Sequence, residues 1–228
     1  MSSSPASRLI SSIISFLLLL TSPACLVRAI DGTSQQTGGN LAGGTCMFTN
    51  YTLPPGIYGS TMSGPDWNAG AMCGACLFVQ GERGSVVAMV VDSCPSCPKS
   101  RVNLFSDAFP KVGDPSAGTI KIQWDIVACG ITGPIVLRNK TGSSRYWFEM
   151  QVLNANQPIT SLDVSTDGGK TWQATTRKDY NYFQKAGGGG GFGADAVTVR
   201  VTCQDGRRVV APGVGVAGDT EWRTPVNC

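Results

Sequence analysis

Nine cysteines in a chain of 228 residues constrain the fold more than any other feature of this sequence. Four of them form two Cys-x-x-Cys pairs with 17 residues between the pairs: Cys73, Cys76, Cys94 and Cys97. This spacing satisfies a four-cysteine zinc pattern. Cys46 and Cys129 bracket the same region, which also suits a set of disulfide cross-links. The cysteines alone therefore leave a zinc site and a disulfide framework open.

The N-terminus has the pattern of a secretory signal peptide. Arg8 precedes an apolar run over residues 13–20, and Val27-Arg28-Ala29 offers small residues before a cut. The run is well short of the roughly 20 residues that cross a bilayer, so an uncleaved membrane anchor is the weaker alternative. Cleavage after Ala29 would remove Cys25 and leave an even number of cysteines in an oxidising compartment. The sequence thus predicts a secreted, extracellular protein, and favours four disulfides over zinc.

The chain contains no histidine, which excludes Ser-His-Asp and Cys-His catalysis and imidazole metal ligands. Without the signal peptide, 18 − 2 = 16 basic residues face 15 acidic ones. The charge is 5 − 7 = −2 over residues 31–133 and 11 − 8 = +3 over 134–228. The basic excess suits a solvated surface or attraction to acidic polysaccharides, but it is too small to favour nucleic-acid binding. We expect a monomer with no cofactor, no metal, no nucleic-acid partner and no membrane contact.

Short β-branched or alternating runs, separated by Gly, Pro and Asp, predict an all-β chain. The predicted strands are 77–80, 85–91 and 120–128 in the first half, and 134–139, 145–153, 161–165, 172–175 and 197–203 in the second. Thr132-Gly133-Pro134 offers a short joint. We therefore predict domains over residues 30–132 and 135–228, the second a β-sandwich. Gly187–Gly191 is interpreted as a mobile loop tip rather than a phosphate cradle.

Residues 146–152 predict an aromatic ring on a polar surface. Alternation places Trp147 on the exposed face of a strand, beside Glu149 and Gln151. An exposed indole suits the flat, amphipathic faces of sugar rings. The same alternation buries Tyr146, unless a bend at Ser144-Arg145 turns both rings outward. The alternative is that both rings belong to the core, where we also place Trp172.

Two ordered sets of motifs resemble the expansin family, closest to its microbial members. The first set is Gly43-Gly44-Thr45-Cys46-Met47-Phe48-Thr49, Ala71-Met72-Cys73-Gly74-Ala75-Cys76, Val91-Asp92-Ser93-Cys94-Pro95, Ala108-Phe109 and Ile122-Gln123-Trp124. The second is Gly142-Ser143-Ser144-Arg145-Tyr146-Trp147, Gln151-Val152-Leu153-Asn154, Asp167-Gly168-Gly169-Lys170-Thr171-Trp172 and Asp179-Tyr180-Asn181-Tyr182-Phe183. The resemblance extends over roughly residues 43–225.

This resemblance implies a six-stranded double-psi β-barrel followed by an immunoglobulin-like β-sandwich that binds cellulose. It also implies loosening of plant-type cell walls without hydrolysis. The implied disulfides are Cys46–Cys73, Cys76–Cys129, Cys94–Cys97 and Cys203–Cys228.

The family's site residues fall on named positions of this chain. The polar groove of the first domain falls on Thr49 and Asp92. The aromatic platform of the second domain falls on Tyr146, Trp147 and Tyr180, with Lys140 as the basic residue beside it. Asp92 also ends a buried run, where capping a turn is the alternative role.

One position departs from the family pattern. The family's most critical acid falls on Asn103, and an amide cannot exchange a proton as a general acid does. Glycoside hydrolysis needs two carboxyl groups, so the pair is broken unless Asp107 substitutes; Asp125 is a weaker substitute. We therefore expect a non-hydrolytic protein without catalytic residues. The alternatives are an inactive carbohydrate-binding wall protein and, less favoured, an endoglucanase-like hydrolase using Asp92 and Asp107. Asn50 and Asn139 are glycosylation acceptors if the source is eukaryotic.

Overall fold

The computed structural model describes residues 29–228 as an almost entirely β-stranded chain. The predicted signal peptide lies, apart from Ala29, outside the described residues. Within residues 29–228, no helix is long and apolar enough to span a membrane.

The first six strands form a closed barrel. They are β1 (Ile30–Thr37), β2 (Ile57–Ser63), β3 (Cys76–Gln80), β4 (Ser85–Cys94), β5 (Val102–Phe105) and β6 (Thr119–Val127), with the helix α1 (Phe109–Val112) before β6. Their order around the barrel is β1-β5-β2-β4-β3-β6. Strand β1 closes the barrel by pairing parallel with β5 and antiparallel with β6, and β2 pairs parallel with β4. The barrel expected of the first half is confirmed.

Strand β6 shows how the sequence builds this barrel. Ile120, Ile122 and Trp124 are buried, while the residues between them face solvent. This alternation with period two is what a half-buried strand requires. The indole of Trp124 donates to the carbonyl of Ser100 at 3.1 Å, which satisfies its polar group inside the barrel wall.

The remaining strands form a second sheet of eight strands. They are β7 (Val136–Asn139), β8 (Glu149–Leu153), β9 (Ile159–Ser165), β10 (Gln173–Arg177), β11 (Phe183–Lys185), β12 (Ala196–Cys203), β13 (Arg208–Gly215) and β14 (Glu221–Arg223). Their order is β13-β12-β9-β10-β11-β8-β7-β14, with β10 pairing to β9 on one side and to β11 on the other. Leu137, Met150, Leu162 and Val199 belong to one buried cluster, as expected for the inner faces of a β-sandwich.

Several elements escaped sequence analysis. Strands β2 and β5 lie outside the predicted strands, because their pairing is non-local and their Ser, Thr and Asn residues mask any alternation. Strand β8 begins four residues later than predicted, since residues 145 and 146 form a turn. Trp172 is partly exposed under the guanidinium of Arg200, 4.2 Å from the ring, so its assignment to the core was wrong.

Four disulfides cross-link the chain with the pairing that the resemblance implied. The bonds are Cys46–Cys73, Cys76–Cys129, Cys94–Cys97 and Cys203–Cys228. Every cysteine of the zinc-like pattern is therefore in a disulfide, and residues 29–228 contain no other cluster suited to a metal. Three bonds lie in the barrel half and one in the sandwich half.

Hydrogen bonds and apolar contacts hold the sandwich against the barrel. Gln151 donates to the carbonyl of Cys46 at 2.7 Å, and Asn181 donates to the same oxygen at 3.4 Å. Arg177 donates to the carbonyl of Gly70 at 2.9 Å. Val136 and Leu153 pack in the same hydrophobic cluster as the barrel core.

Candidate functional site

A tight turn presents two aromatic rings to solvent. Ser144 and Trp147 pair as an isolated bridge, and Arg145 and Tyr146 form the turn between them. The exposed fraction is 78% for Tyr146 and 42% for Trp147, whereas the next residue, Phe148, is buried. The expected exposure of Trp147 is found. The bend also settles the ambiguity at Tyr146, because a turn residue is not bound by strand alternation.

The glycine-rich segment supports this turn from behind. The carbonyl of Gly190 accepts from the amide of Phe148 at 3.1 Å, and the amide of Gly193 donates to the carbonyl of Arg145 at 2.9 Å. A Cβ atom at Gly191 would lie 2.0 Å from that same carbonyl oxygen. Only glycine permits so close an approach. Gly190 and Gly191 are thus packed against the turn, whereas Gly187 and Gly188 are exposed, as expected of a loop tip.

A buried carboxylate lies two residues beyond the exposed indole. The Glu149 residue is only 3% exposed. Its Oε2 accepts from the ammonium of Lys140 at 2.7 Å, and its Oε1 accepts from the hydroxyl of Tyr180 at 2.7 Å and from the amide of Gln184. The Lys140 ammonium lies 5.0 Å from the ring centre of Tyr180 and 5.7 Å from that of Tyr182. Glu149 therefore holds two predicted platform residues, Lys140 and Tyr180, in one cluster.

The protonation states in this cluster follow from its geometry. Burial alone would raise the pKa of Glu149, but hydrogen bonds from Lys140, Tyr180 and Gln184 outweigh it and hold that pKa below its usual value. Burial, and then the hydrogen bond to Glu149, raise the pKa of Tyr180 to about 12. At neutral pH Glu149 is thus a charged acceptor and Tyr180 a neutral donor.

Two of the three predicted groove residues lie on neighbouring positions of the barrel. Asp92 and Asn103 belong to strands on opposite sides of β2, and both pair in register with Thr61. Oδ1 of Asp92 accepts from the amide of Thr45 at 2.7 Å, from its hydroxyl at 2.7 Å and from the amide of Ser93 at 2.8 Å. These bonds show that Asp92 also has the turn-organising role weighed against a functional one.

Asn103 is nearly buried, with an exposed fraction of 8%. Its Oδ1 accepts from the amide of Gln35 at 3.2 Å, and its Nδ2 lies 3.6 Å from the sulfur of Cys97. Asp107 lies on an exposed turn after β5, and Oδ1 of Asp125 accepts from the adjacent amide of Ile126. No described hydrogen bond or ion pair links Asp107 or Asp125 to Asp92.

The third groove residue, Thr49, lies at the junction of barrel and sandwich. It lines a cleft of about 340 Å³ together with Asn50 of the barrel half and Lys140 and Tyr182 of the sandwich half. Thr49 therefore shares a cleft with Lys140, and within the described residues it makes no hydrogen bond to Asp92 or Asn103. The side chain of Asn139 is buried and donates to Gly215 and Thr220, so this acceptor is inaccessible in the folded protein, unlike the exposed Asn50.

Sequence reasoning missed several residues of this surface. Alternation assigned Glu149 and Gln151 to the solvent-exposed face of β8, but both are buried. Glu149 is enclosed by its hydrogen-bonding partners in the sandwich half, and Gln151 faces the barrel, where it bonds to Cys46. Trp222, on the edge strand β14, is as exposed as Trp147 at 42%. A single Glu after an aromatic pair gives no sequence signal that it will be buried.

The fold and sequence were compared with known proteins. No family model matches the chain. Expansin-YoaJ of Bacillus subtilis is 31% identical over 176 residues, which cover 75% of this chain and 72% of that protein. The crystal structure of the apo expansin of Clavibacter michiganensis matches with a TM-score of 0.77 and 32% identity, over 87% of this chain and 97% of that one. A mutant of the Clavibacter expansin, solved in complex with cellohexaose, matches with the same TM-score of 0.77 and the same 32% identity.

A barrel followed by a β-sandwich with exposed rings thus defines a two-part all-β protein of the architecture seen in the Clavibacter expansin. The similarity to the Bacillus protein, 31% identity over 72% of its length, shows family membership in addition to a shared fold. The chain belongs to the expansin family and is of the microbial kind.

Proposed function

We propose that this protein is secreted, acts as a monomer, and binds cellulose through Tyr146, Trp147 and Tyr180. The exposed turn supports this proposal most directly, because two adjacent rings remain 78% and 42% exposed within residues 29–228. Aromatic faces stack well on the apolar faces of glucose rings. A complex of the Clavibacter expansin with cellohexaose supports a glucan as the ligand.

The proposed action is non-hydrolytic loosening of plant-type cell walls. In this proposal the polar residues Asp92 and Asn103, with Thr49 at the junction, contact a glucan chain that the rings hold. Asn103 in place of the family acid removes a proton donor, and Asp107 lies on an exposed turn. Insertion between glucan chains would then weaken their non-covalent contacts without bond cleavage.

A second candidate is a wall protein that binds carbohydrate without loosening the wall, and the amide at Asn103 favours it. Wall strips extended under load distinguish the two when the natural protein is compared with Asn103→Asp. Extension by the natural protein supports loosening. Extension by the variant alone supports the binding-only alternative. Release of reducing sugar that is lost in Asp107→Ala would instead support a hydrolase.

Cellulose binding is tested by Trp147→Ala, with Trp222→Ala as the matched control. Both indoles are 42% exposed, so the two variants lose the same residue type at equal exposure. We expect Trp147→Ala to weaken binding to microcrystalline cellulose about tenfold, and Trp222→Ala to change it less than twofold. Equal losses would contradict the proposed platform.

A further inference from the structure

The predicted platform cation is already neutralised inside the protein. Lys140 is partly exposed, with 32% of its side chain accessible, but its ammonium lies 2.7 Å from the carboxylate of Glu149, which is 3% exposed. The same carboxylate fixes Tyr180. Lys140 therefore cannot act as the free positive charge that the family resemblance and the basic excess of this half implied.

Two other cations of this half, one in the ring turn and one in the junction cleft, are paired as well. Arg145, in the turn, lies 3.2 Å from the carboxylate of Asp195. Arg138, in the junction cleft, donates to Glu221 at 2.7 Å. Three basic residues of this half are thus offset by ion pairs, whereas Lys178, two residues before Tyr180, is in no ion pair within residues 29–228.

We infer that Glu149 is a specificity-determining residue: it neutralises Lys140 and so adapts the platform to neutral glucans rather than to polyuronides. This inference deepens the proposed function and rests on it. A charged carboxylate next to the ammonium offsets part of its attraction for an acidic polymer at contact and most of it at longer range. Glu149 acts through Lys140 and Tyr180, without contacting the glycan.

The removal of this carboxylate should change which polymer binds. In Glu149→Gln the side-chain volume is kept and one oxygen remains to accept from Tyr180 and Gln184, but the ammonium of Lys140 loses its counter-charge. A partly exposed ammonium that is released in this way attracts polymer carboxylates, and salt screens the attraction. The inference therefore predicts a new, salt-sensitive affinity for polygalacturonate.

The test measures binding of the full secreted chain to polygalacturonate and to cellulose at low salt and at 0.5 M NaCl. We expect Glu149→Gln to bind polygalacturonate at least threefold more tightly than the natural protein at low salt. The gain should vanish at high salt and in Glu149→Gln/Lys140→Gln. Cellulose binding should change less than threefold, because the rings remain in place.

Asp205→Asn is the matched control. It changes the net charge by the same amount and frees Arg207, which pairs with Asp205 at 2.6 Å in a turn whose described side-chain hydrogen bonds do not involve the ring residues. We expect no gain from it. A gain of equal size in Asp205→Asn, or no gain in a folded Glu149→Gln, would overturn the inference, the latter leaving Glu149 only a structural role.

A second variant covers a failure to fold. If Glu149→Gln does not fold, Glu149→Met keeps a similar volume and removes the counter-charge in the same way, and the same threefold gain decides the outcome. If the natural protein does not bind cellulose, that result contradicts the proposed function instead. The polygalacturonate comparison therefore reports separately on Glu149.

Discussion

The polar side chains of the barrel and of the sandwich are used differently. In the barrel, Asp92 and Asn103 accept hydrogen bonds mainly from backbone amides, which fixes the local strands. In the sandwich, Glu149 accepts from three side chains and leaves the neighbouring rings uncovered. The barrel thus offers a firmly bonded polar wall, whereas the sandwich offers free apolar area for contact with a ligand.

The largest expected effect is the loss of stability when a disulfide of either half is removed. Removing Cys76–Cys129, which spans 53 residues, by substitution to Ala should lower the free energy of unfolding by about 4 kcal/mol in the chain-entropy model. Removing Cys203–Cys228, which spans 25 residues, should cost about 3.5 kcal/mol. Denaturant unfolding measures both, and the short Cys94–Cys97 link, with a separation of 3, is the control at about 1.5 kcal/mol. A smaller loss from Cys76–Cys129 than from the control would contradict this order.

The next effect concerns the junction between the halves. Burial lowers the pKa of Arg177 to about 10, so it remains charged at neutral pH while it donates to Gly70 of the barrel. Arg177→Met should cost about 2–3 kcal/mol, because a charged donor to buried carbonyls is lost. Calorimetry should show two thermal transitions in place of one as the halves uncouple. Arg208→Met, on the far strand β13, is the control, and a single unshifted transition in Arg177→Met would contradict the proposed coupling.

A smaller effect tests which half supplies affinity. Asp92→Ala should weaken cellulose binding less than twofold, against about tenfold for Trp147→Ala, because Asp92 already bonds to Thr45 and Ser93. Pull-down on microcrystalline cellulose compares the two variants after each is shown to be folded. Equal losses would mean that the barrel wall contributes as much affinity as the rings.

Acid should affect the sandwich before the barrel. Hydrogen bonds from Thr171 hold the pKa of Asp167 below its ordinary value, and the amide of Arg207 does so for Asp205. The pKa of Glu149 is lowered too, which makes three such carboxylates in the sandwich half; in the barrel half the amide of Ser116 lowers the pKa of Asp114. A carboxylate whose pKa is lower in the folded than in the unfolded state stabilises the fold. This stabilisation is complete above the unfolded pKa of about 4 and is lost as the pH falls through the folded pKa.

The measurement is thermal unfolding of Arg177→Met, in which the two halves are expected to unfold separately, followed between pH 6 and pH 2. We expect the sandwich transition to shift downward by more than the barrel transition once the pH falls below about 4. The variant Asp167→Asn should remove part of this shift. Parallel shifts of both transitions would contradict the assignment of the acid sensitivity to the sandwich.

The sequence predicted the parts of the molecule that have a local signature. Alternation identified β6 and the exposed Trp147, and family motifs gave the barrel, the sandwich and the disulfide pairing. It could not reveal the burial of Glu149, which depends on Tyr180 and Gln184 arriving from another part of the sheet. Nor could it place Thr49, because the cleft exists only where the two halves meet.

One carbonyl oxygen links disulfide formation to the docking of the two halves. The oxygen of Cys46 receives the amides of both Gln151 and Asn181, and Cys46 is itself bonded to Cys73. Oxidation of that thiol pair fixes the peptide group on which the C-terminal half docks. Maturation of this protein should therefore be ordered, with oxidative closure of the N-terminal half preceding stable docking of the C-terminal half.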